Sequence, residues 1–460
     1  MVTRMMKQIL VPQTRRYHYL QNHQASIASG YQFLISSINP TIRRRFSAVT
    51  GVDALEGYSS GEDSNQLHFP GGKIGYIPEL RSIRGSNGEK VPCYRVLDED
   101  GSTIPGSQHA KINREMALKI YKGMATLQTM DSVFYESQRQ GRLSFYLTST
   151  GEEAVNLATA AALSPDDVVF AQYREPGVLL WRGFSIPEFA CQLLSTCKDL
   201  GKGRQMPIHY GSNKLNYFTV SSPLATQLPQ AVGAAYSLKM HNPAACTVAF
   251  TGDGATSEGD FHAALNFAAV LEVPVVFICR NNGFAISTQT SEQFKSDGVV
   301  VKGQAYGIES VRVDGNDAVA VYTAVAAARA AAISEQKPIL VEAMTYRVGH
   351  HSTSDDSTKY RSAEEIDYWK TDRDPVSRFR KWVEMNGWWD ATSDSELRAG
   401  VKTEVLKALQ EAEKLEKPSL SEMFNDVYDR LTKDLEDQKK HLFKFVQSYP
   451  HEFPADVPIR

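Results

Sequence analysis

The chain alternates short continuous apolar runs with longer stretches whose apolar residues recur at helical spacing. Residues 246–250 form one such run, Cys246 to Phe250, and a run without polar alternation predicts a strand buried on both faces, as in a parallel sheet. Two glycines flank Asp253 directly after it. Phe261, Leu265, Ala268 and Leu271 then recur at helical spacing, with Ser257 and Asp260 in the spacing of a capping box. Residues 275–279 predict the next strand, closed by Arg280, Asn281 and Asn282. The whole reads as a β-α-β unit. Similar patterning predicts helices over 116–138, 187–194, 228–240 and the Ala-rich 318–334, and strands over 168–170, 311–313 and 339–343. Such alternation implies an α/β fold, a doubly wound and mostly parallel sheet covered by helices on both faces.

The flanks differ. Residues 47–110 are rich in Gly, Ser, Asp and Pro with little periodicity, which predicts an extended N-terminal arm ahead of an α/β domain over 111–377. The segment 378–460 turns helical and charged. Glu and Lys stand four apart within 396–416, the pattern of a solvated helix face, and another helix is expected over 423–445. Residues 1–46 contain no Asp or Glu but carry Arg4, Arg15, Arg16 and the run Arg43, Arg44, Arg45. That is the composition of a mitochondrial transit peptide, and a basic tail that binds something acidic is the competing reading.

Composition narrows the function classes. A net charge of −3 over 460 residues gives no support to nucleic-acid or membrane-surface binding, and no apolar run approaches the length of a membrane span. The five cysteines (Cys93, Cys191, Cys197, Cys246, Cys279) are scattered without C-x-x-C spacing, as expected for reduced core thiols.

Ligands of parallel sheets bind at the carboxyl ends of the strands. Every candidate polar cluster falls at that edge: Gln172 to Glu175, Asp253, Asn282, Tyr346 with Arg347, and His350 with His351. A magnesium-bound diphosphate suits this set. Mg²⁺ takes one or two protein oxygens and completes its octahedron with phosphate and water. Asp253 offers a carboxylate, Asn282 an amide oxygen and the backbone beyond it a third oxygen, while Arg280 and the amides at the helix start can face phosphate. A plain turn with a stray Asp and a strand-ending Asn pair is the bland alternative. Dinucleotide and P-loop readings fit poorly, because Ser257 stands where G-x-G-x-x-G needs its third glycine and no G-x-x-x-x-G-K-[ST] occurs.

Gly252-Asp253-Gly254 followed by Asn281-Asn282 resembles the thiamine diphosphate signature. The words around Ser221 to Gln227, Arg280 to Thr288 and Gly349 to Asp356 resemble alpha subunits of the branched-chain 2-oxoacid dehydrogenase decarboxylase component, with residues 214–217 closest to plant members. The resemblance runs from about Tyr94 to the C-terminus. It implies a fold of the thiamine diphosphate-binding type and oxidative decarboxylation of branched 2-oxoacids, with acyl transfer to a lipoyl group. It places Tyr173, Arg174 and Arg280 on the diphosphate with Gly254 and Ala255 close by, and Asp253, Asn282 and the backbone oxygen of Phe284 on Mg²⁺. Relatives often carry Tyr at the Phe284 position, which a backbone ligand tolerates. Ser222 and Leu224 fall against the pyrimidine. Ser221, Pro223, Thr226 and Gln227 fall on a K⁺ site, although such hydroxyls and carbonyls also cap helices. His351 is the proton-handling catalytic candidate, facing both cofactor and substrate, with His350 its structural neighbour. Ser352 and Ser362 are the phosphorylation candidates, served by a kinase and a phosphatase.

The family takes the carboxylate for the aminopyrimidine from a second subunit, and no motif supplies it here. The resemblance therefore implies a beta subunit, a tetramer of two alpha and two beta chains, an acyltransferase core and the mitochondrial matrix. A pyruvate-specific alpha subunit and a non-catalytic thiamine diphosphate-binding subunit are the rival readings.

Overall fold

The computed structural model describes residues 90–459, together with the backbone of an antiparallel hairpin before them, β1 (Gln66–Phe69) and β2 (Gly72–Gly75). The transit peptide expected over 1–46 and most of the arm from 47 to 89 lie outside the described residues.

Six strands form one all-parallel sheet: β3 (Val168–Phe170), β4 (Tyr217–Phe218), β5 (Thr247–Gly252), β6 (Val275–Asn281), β9 (Glu309–Asp314) and β10 (Ile339–Met344), in the order β4-β3-β5-β6-β10-β9. A small hairpin of β7 (Phe284–Ala285) and β8 (Thr288–Gln289) stands apart from it. The helices around the first half are α1 (Arg114–Arg139), α2 (Glu153–Ala162), α3 (Pro176–Trp181), α4 (Ile186–Leu193), α5 (Gln227–His241) and α6 (Gly259–Leu271). Those after it are α7 (Thr290–Gln293), α8 (Val300–Gln304), α9 (Ala318–Glu335), α10 (Ala363–Thr371), α11 (Pro375–Met385), α12 (Ala391–Ala412) and α13 (Lys433–Ser448).

The continuous apolar runs are explained by burial on two faces. Along β6, Val276 and Ile278 point into the core with α1, α2, α9 and α12, while Val275, Phe277 and Cys279 point into a second core with α5 and α6. Val248 and Phe250 likewise divide from Ala249 on β5, and Val341 from Leu340 on β10. Each residue has a core to enter, so none needs to be polar.

Three expectations are revised, and one helix that the patterning did not predict is present. The capping box at Ser257 does not form: Gly254–Ser257 is already a 3₁₀ turn, and Glu258, extended at φ −78°, precedes α6 instead. Helix α2 carries no readable stripe because nearly all of it is buried. The helix expected over 423–445 starts only at Lys433, where Thr432 accepts from the Leu435 N–H, after a 3₁₀ turn at Leu420–Phe424 and a left-handed Asp426. Helix α9 is long and apolar enough to cross a membrane, yet it packs on α2 and β10 within the core. Residues 90–110 hold no regular helix or strand, and they meet β9 through a parallel bridge from Tyr94 to Val313 and through Arg312, which donates to the Val91 oxygen at 2.9 Å. All five cysteines are free, with Cys191, Cys246 and Cys279 buried.

Candidate active site

From β3 the chain moves outward to β4 and then returns across β3 to β5, so the direction of winding reverses between β3 and β5. The loops leaving such a switch point diverge and open a crevice. A cleft of about 500 Å³ lies there, at the carboxyl ends of β3, β5 and β6. All the cofactor and magnesium candidates line it: Tyr173, Arg174, Ser222, Leu224, Asp253, Gly254, Ala255, Arg280, Asn282, Phe284 and His351. Its size suits a cofactor-sized ligand.

Asp253 follows directly on β5 and is 1% exposed. Its one side-chain partner among the described residues is Gln293, whose Nε2 donates to Oδ2 at 2.9 Å. Burial, with the charge of Glu152 adding, raises the Asp253 pKa, and the Gln293 hydrogen bond opposes this. A buried carboxylate without a cationic partner is a place where a metal ion is favourable. Asn282 ends β6. Its Nδ2 donates to Glu152 at 2.7 Å and its Oδ1 accepts from the Phe284 N–H at 3.2 Å. Gly283 takes the left-handed φ of +86° that turns the chain there, and the Phe284 oxygen receives a long 3.4 Å contact from Arg347. Gly254 has no positive φ. A Cβ on it would lie 2.6 Å from that of Ala285, so the glycine is needed for close approach of the β7–β8 hairpin. No group of three or more His, Cys, Asp or Glu side chains fits a metal among the described residues. That disfavours a zinc-type cage, whereas one carboxylate with amide and backbone oxygens fits Mg²⁺.

Arg280 is more committed than its sequence position suggests. It is buried, its Nε donates to Glu175, and its Nη1 donates to Glu152 at 2.5 Å. Burial works against its charge, but the two carboxylates outweigh that and raise its pKa. Glu175 also accepts from the Gln172 and Tyr173 N–H groups at 2.8 and 3.0 Å. Arg174 donates to the Thr148 and His351 backbone oxygens at 2.6 and 2.5 Å, which ties two loops over the cleft.

His351 makes no ring hydrogen bond among the described residues. Its pKa is pushed down to about 4 by burial first, then by Arg174 and Arg347, with Asp355 opposing. The ring is therefore neutral at physiological pH and free to accept a proton. His350 instead holds Ser357, 2.9 Å from its Nδ1. Ser222 lies 2.8 Å from His209 Nε2, whose other ring nitrogen faces the Pro207 oxygen at 3.1 Å. That pairing fixes Nδ1 as the protonated nitrogen and Ser222 as the donor. Thr226 donates to the Pro223 oxygen at 3.0 Å and to Ser221 at 3.3 Å, so three of the K⁺ candidates gather ahead of α5. The Gln227 Nε2 donates to the Phe250 oxygen at 2.8 Å, which leaves its Oε1 uncommitted among the described residues. Ser352 makes no side-chain hydrogen bond among the described residues, whereas Ser362 caps α10 by accepting from the Glu365 N–H at 3.1 Å.

Sequence reasoning missed Glu152, His209 and Glu258, and gave Gln172 and Arg347 a place at the sheet edge without a role. Glu258, at the start of α6, is the only carboxylate besides Asp253 that lines the cleft among the described residues. Gln172 and Arg347 stood within clusters already placed at the strand ends. Glu152 and His209 carried no local signal.

The family model of the dehydrogenase E1 component matches residues 121–421. The chain is similar to the 2-oxoisovalerate dehydrogenase subunit alpha 1, mitochondrial, of Arabidopsis thaliana, 63% identical over 420 residues, 91% of this chain and 89% of that one. The 2-oxoisovalerate dehydrogenase subunit alpha, mitochondrial, of Dictyostelium discoideum is 51% identical over 367 residues (80% and 83%). The protein of the same name in Homo sapiens is 48% identical over 399 residues (87% and 89%). With a family model spanning most of the chain and relatives matched along nearly their whole length, the chain belongs to the dehydrogenase E1 component family.

Proposed function

We propose that this chain is the alpha subunit of a thiamine diphosphate-dependent 2-oxoisovalerate dehydrogenase, decarboxylating branched 2-oxoacids and passing the acyl group to a lipoyl group. The observation that carries this reading is the convergence of every cofactor and magnesium candidate, from three strand ends and two loops, on one cleft. Bound thiamine diphosphate supplies the electron sink for loss of CO₂. The chain's own residues do the rest. Asp253, Asn282 and the Phe284 oxygen hold Mg²⁺ against the diphosphate. Tyr173 and Arg174 bind phosphate oxygens, joined by Arg280 so far as its two carboxylates leave it free. Gly254 and Ala255 keep that wall bare, Leu224 supports the cofactor and Ser222 meets the pyrimidine. His351, neutral and with no ring hydrogen bond among the described residues, handles the proton at the reacting centre. Thr226, Ser221, the Pro223 oxygen and Gln227 hold K⁺ and stiffen the loop ahead of α5.

The same reading places the chain in the mitochondrial matrix after removal of the basic N-terminal segment, paired with a beta subunit in a tetramer of two alpha and two beta chains docked on the acyltransferase core. The beta subunit supplies the carboxylate for the aminopyrimidine. Phosphorylation of Ser352 by a kinase, reversed by a phosphatase, puts a dianion beside Asp355 and Asp356 and disorders the loop by like-charge repulsion. Ser362 is the second such site, where a phosphate alters the α10 cap.

Isothermal titration of thiamine diphosphate with Mg²⁺, into the chain alone and into its mixture with the beta subunit, tests the reading. Tight binding in the mixture only, with turnover of branched 2-oxoacids, is the expected result. Binding and turnover by the lone chain would move the acid to this subunit, with Glu258→Gln as the next variant to assay. Binding without turnover in the mixture would make the chain a non-catalytic subunit, and preference for pyruvate would reassign the substrate.

A further inference from the structure

We propose that Glu152 is the positioning residue that sets which way the Asn282 amide faces, turning its oxygen rather than its nitrogen to the metal. This inference rests on the magnesium site proposed above. The two ends of a carboxamide are nearly equal in size, so only hydrogen bonding decides its orientation. An ionised carboxylate is purely an acceptor, and Glu152 Oε1 lies 2.7 Å from Asn282 Nδ2. That bond commits the NH₂ group to Glu152 and leaves Oδ1 on the side of the Phe284 N–H, which donates to it at 3.2 Å. A reversed amide would put oxygen against the carboxylate and NH₂ against both that N–H and the cation.

Glu152 is held so that it cannot follow a rotating amide. It is fully buried ahead of α2, and its Oε2 accepts from Arg280 Nη1 at 2.5 Å. Arg280 is held in turn by Glu175, and Glu175 by the Gln172 and Tyr173 N–H groups. A continuous line of charge-assisted hydrogen bonds thus runs from the loop after β3 to the metal ligand at the end of β6. Supporting partners of this kind orient metal ligands, and their loss typically costs about 10–100-fold in metal affinity.

The geometry allows a polarity-reversal test. In Glu152→Gln the new amide oxygen goes to Arg280, where the charge-assisted bond is strongest, so the new NH₂ confronts the Asn282 NH₂. Adding Asn282→Asp turns that clash into a donor–acceptor pair, keeps the net charge of the two positions, and still offers an oxygen to the metal. Mg²⁺ affinity at saturating thiamine diphosphate is measured by calorimetry on the alpha–beta mixture, beside the melting temperature of each cofactor-free protein. Glu152→Gln is expected to weaken Mg²⁺ binding roughly 10–100-fold, and the double variant to recover most of the loss. Mg²⁺ affinity within twofold of the parent in Glu152→Gln, whatever its melting temperature, overturns the proposal, as does a folded double variant that binds no better than Glu152→Gln. Should Glu152→Gln fail to fold, the double variant carries the decision alone, near-parental Mg²⁺ affinity supporting the proposal. Asp253→Ala separates the two readings. If it leaves Mg²⁺ affinity unchanged, the metal site itself is wrong; if it abolishes binding while Glu152→Gln does not weaken it, only the role of Glu152 falls.

Discussion

Asp253 differs from the buried carboxylates Asp167 and Glu342 in what neutralises it. Asp167 faces Arg329 and Glu342 faces Arg312, each within 3.0 Å. Asp253 has one neutral amide, from Gln293. Its burial is therefore a cost in the cofactor-free protein and an advantage once a divalent cation arrives. Asp253→Asn removes the charge at nearly constant shape, so the cofactor-free variant is expected to melt at or above the parent while Mg²⁺-dependent cofactor binding falls at least tenfold. A variant that binds as the parent does would remove Asp253 from the metal. His351 gives a second test at this scale. Its neutral form is favoured in the folded state, so its contribution to stability is present above the ordinary histidine value of 6.5 and is lost as pH falls from 6.5 to about 4. An NMR titration of the His351 ring in the cofactor-free protein is expected near pH 4. Arg174→Gln should raise the midpoint without restoring 6.5, because burial is the larger cause. A midpoint at or above 6.5 in the parent would end the neutral-base assignment.

Among the elements, the strand ends were legible and the supports behind them were not. A run such as Val275 to Cys279 has one interpretation, since both of its faces enter a core. The polar residues that follow each run inherit their place at the sheet edge. Helix α2 was hidden because it is buried on nearly every side and so shows no stripe. Glu152 was hidden because its partners lie 128 and 130 residues away in the chain. The role of Gly254 was half-read: the glycine was expected to let the backbone approach a ligand, and what it meets in the structure is Ala285. Gly254→Ala would push the β7–β8 hairpin outward, and that hairpin carries the Phe284 oxygen. Overpacking of this kind costs about 1–3 kcal/mol. The variant is expected to fold, with a lowered denaturation midpoint and Mg²⁺-dependent cofactor affinity reduced by tenfold or more. Parental affinity would show that the hairpin can move without disturbing the metal ligands.

For the molecule as a whole, the cleft gathers groups as far apart in the chain as Arg174 and His351, 177 residues. The loop over 347–361 is fastened to the rest by scattered bonds: Arg174 holds the His351 oxygen, Arg347 reaches the Ile286 oxygen at 2.8 Å, the Val348 N–H donates to the Thr150 oxygen at 3.1 Å and the Tyr146 N–H donates to Thr353 at 3.2 Å, while Arg361 ties the loop to itself through the Arg347 and Gly349 oxygens. A ligand in the cleft meets Arg174, Arg347 and His351 together, so binding and loop order are coupled. Ligand that binds only the folded state stabilises it by RT ln(1 + [L]/Kd), about 2.7 kcal/mol at a concentration of 100 Kd. In the alpha–beta mixture, thiamine diphosphate with Mg²⁺ is expected to raise the melting temperature by several degrees and to slow proteolytic cleavage within 347–361. Mg²⁺ alone should do neither, because a site with one carboxylate and two neutral oxygens needs the diphosphate to complete the metal's coordination. If Mg²⁺ alone protected the loop, the metal would be bound by protein groups outside this cleft. If the pair raised the melting temperature yet left cleavage within 347–361 unchanged, the loop would be ordered by the partner subunit and not by the contacts of Arg174 and Arg347.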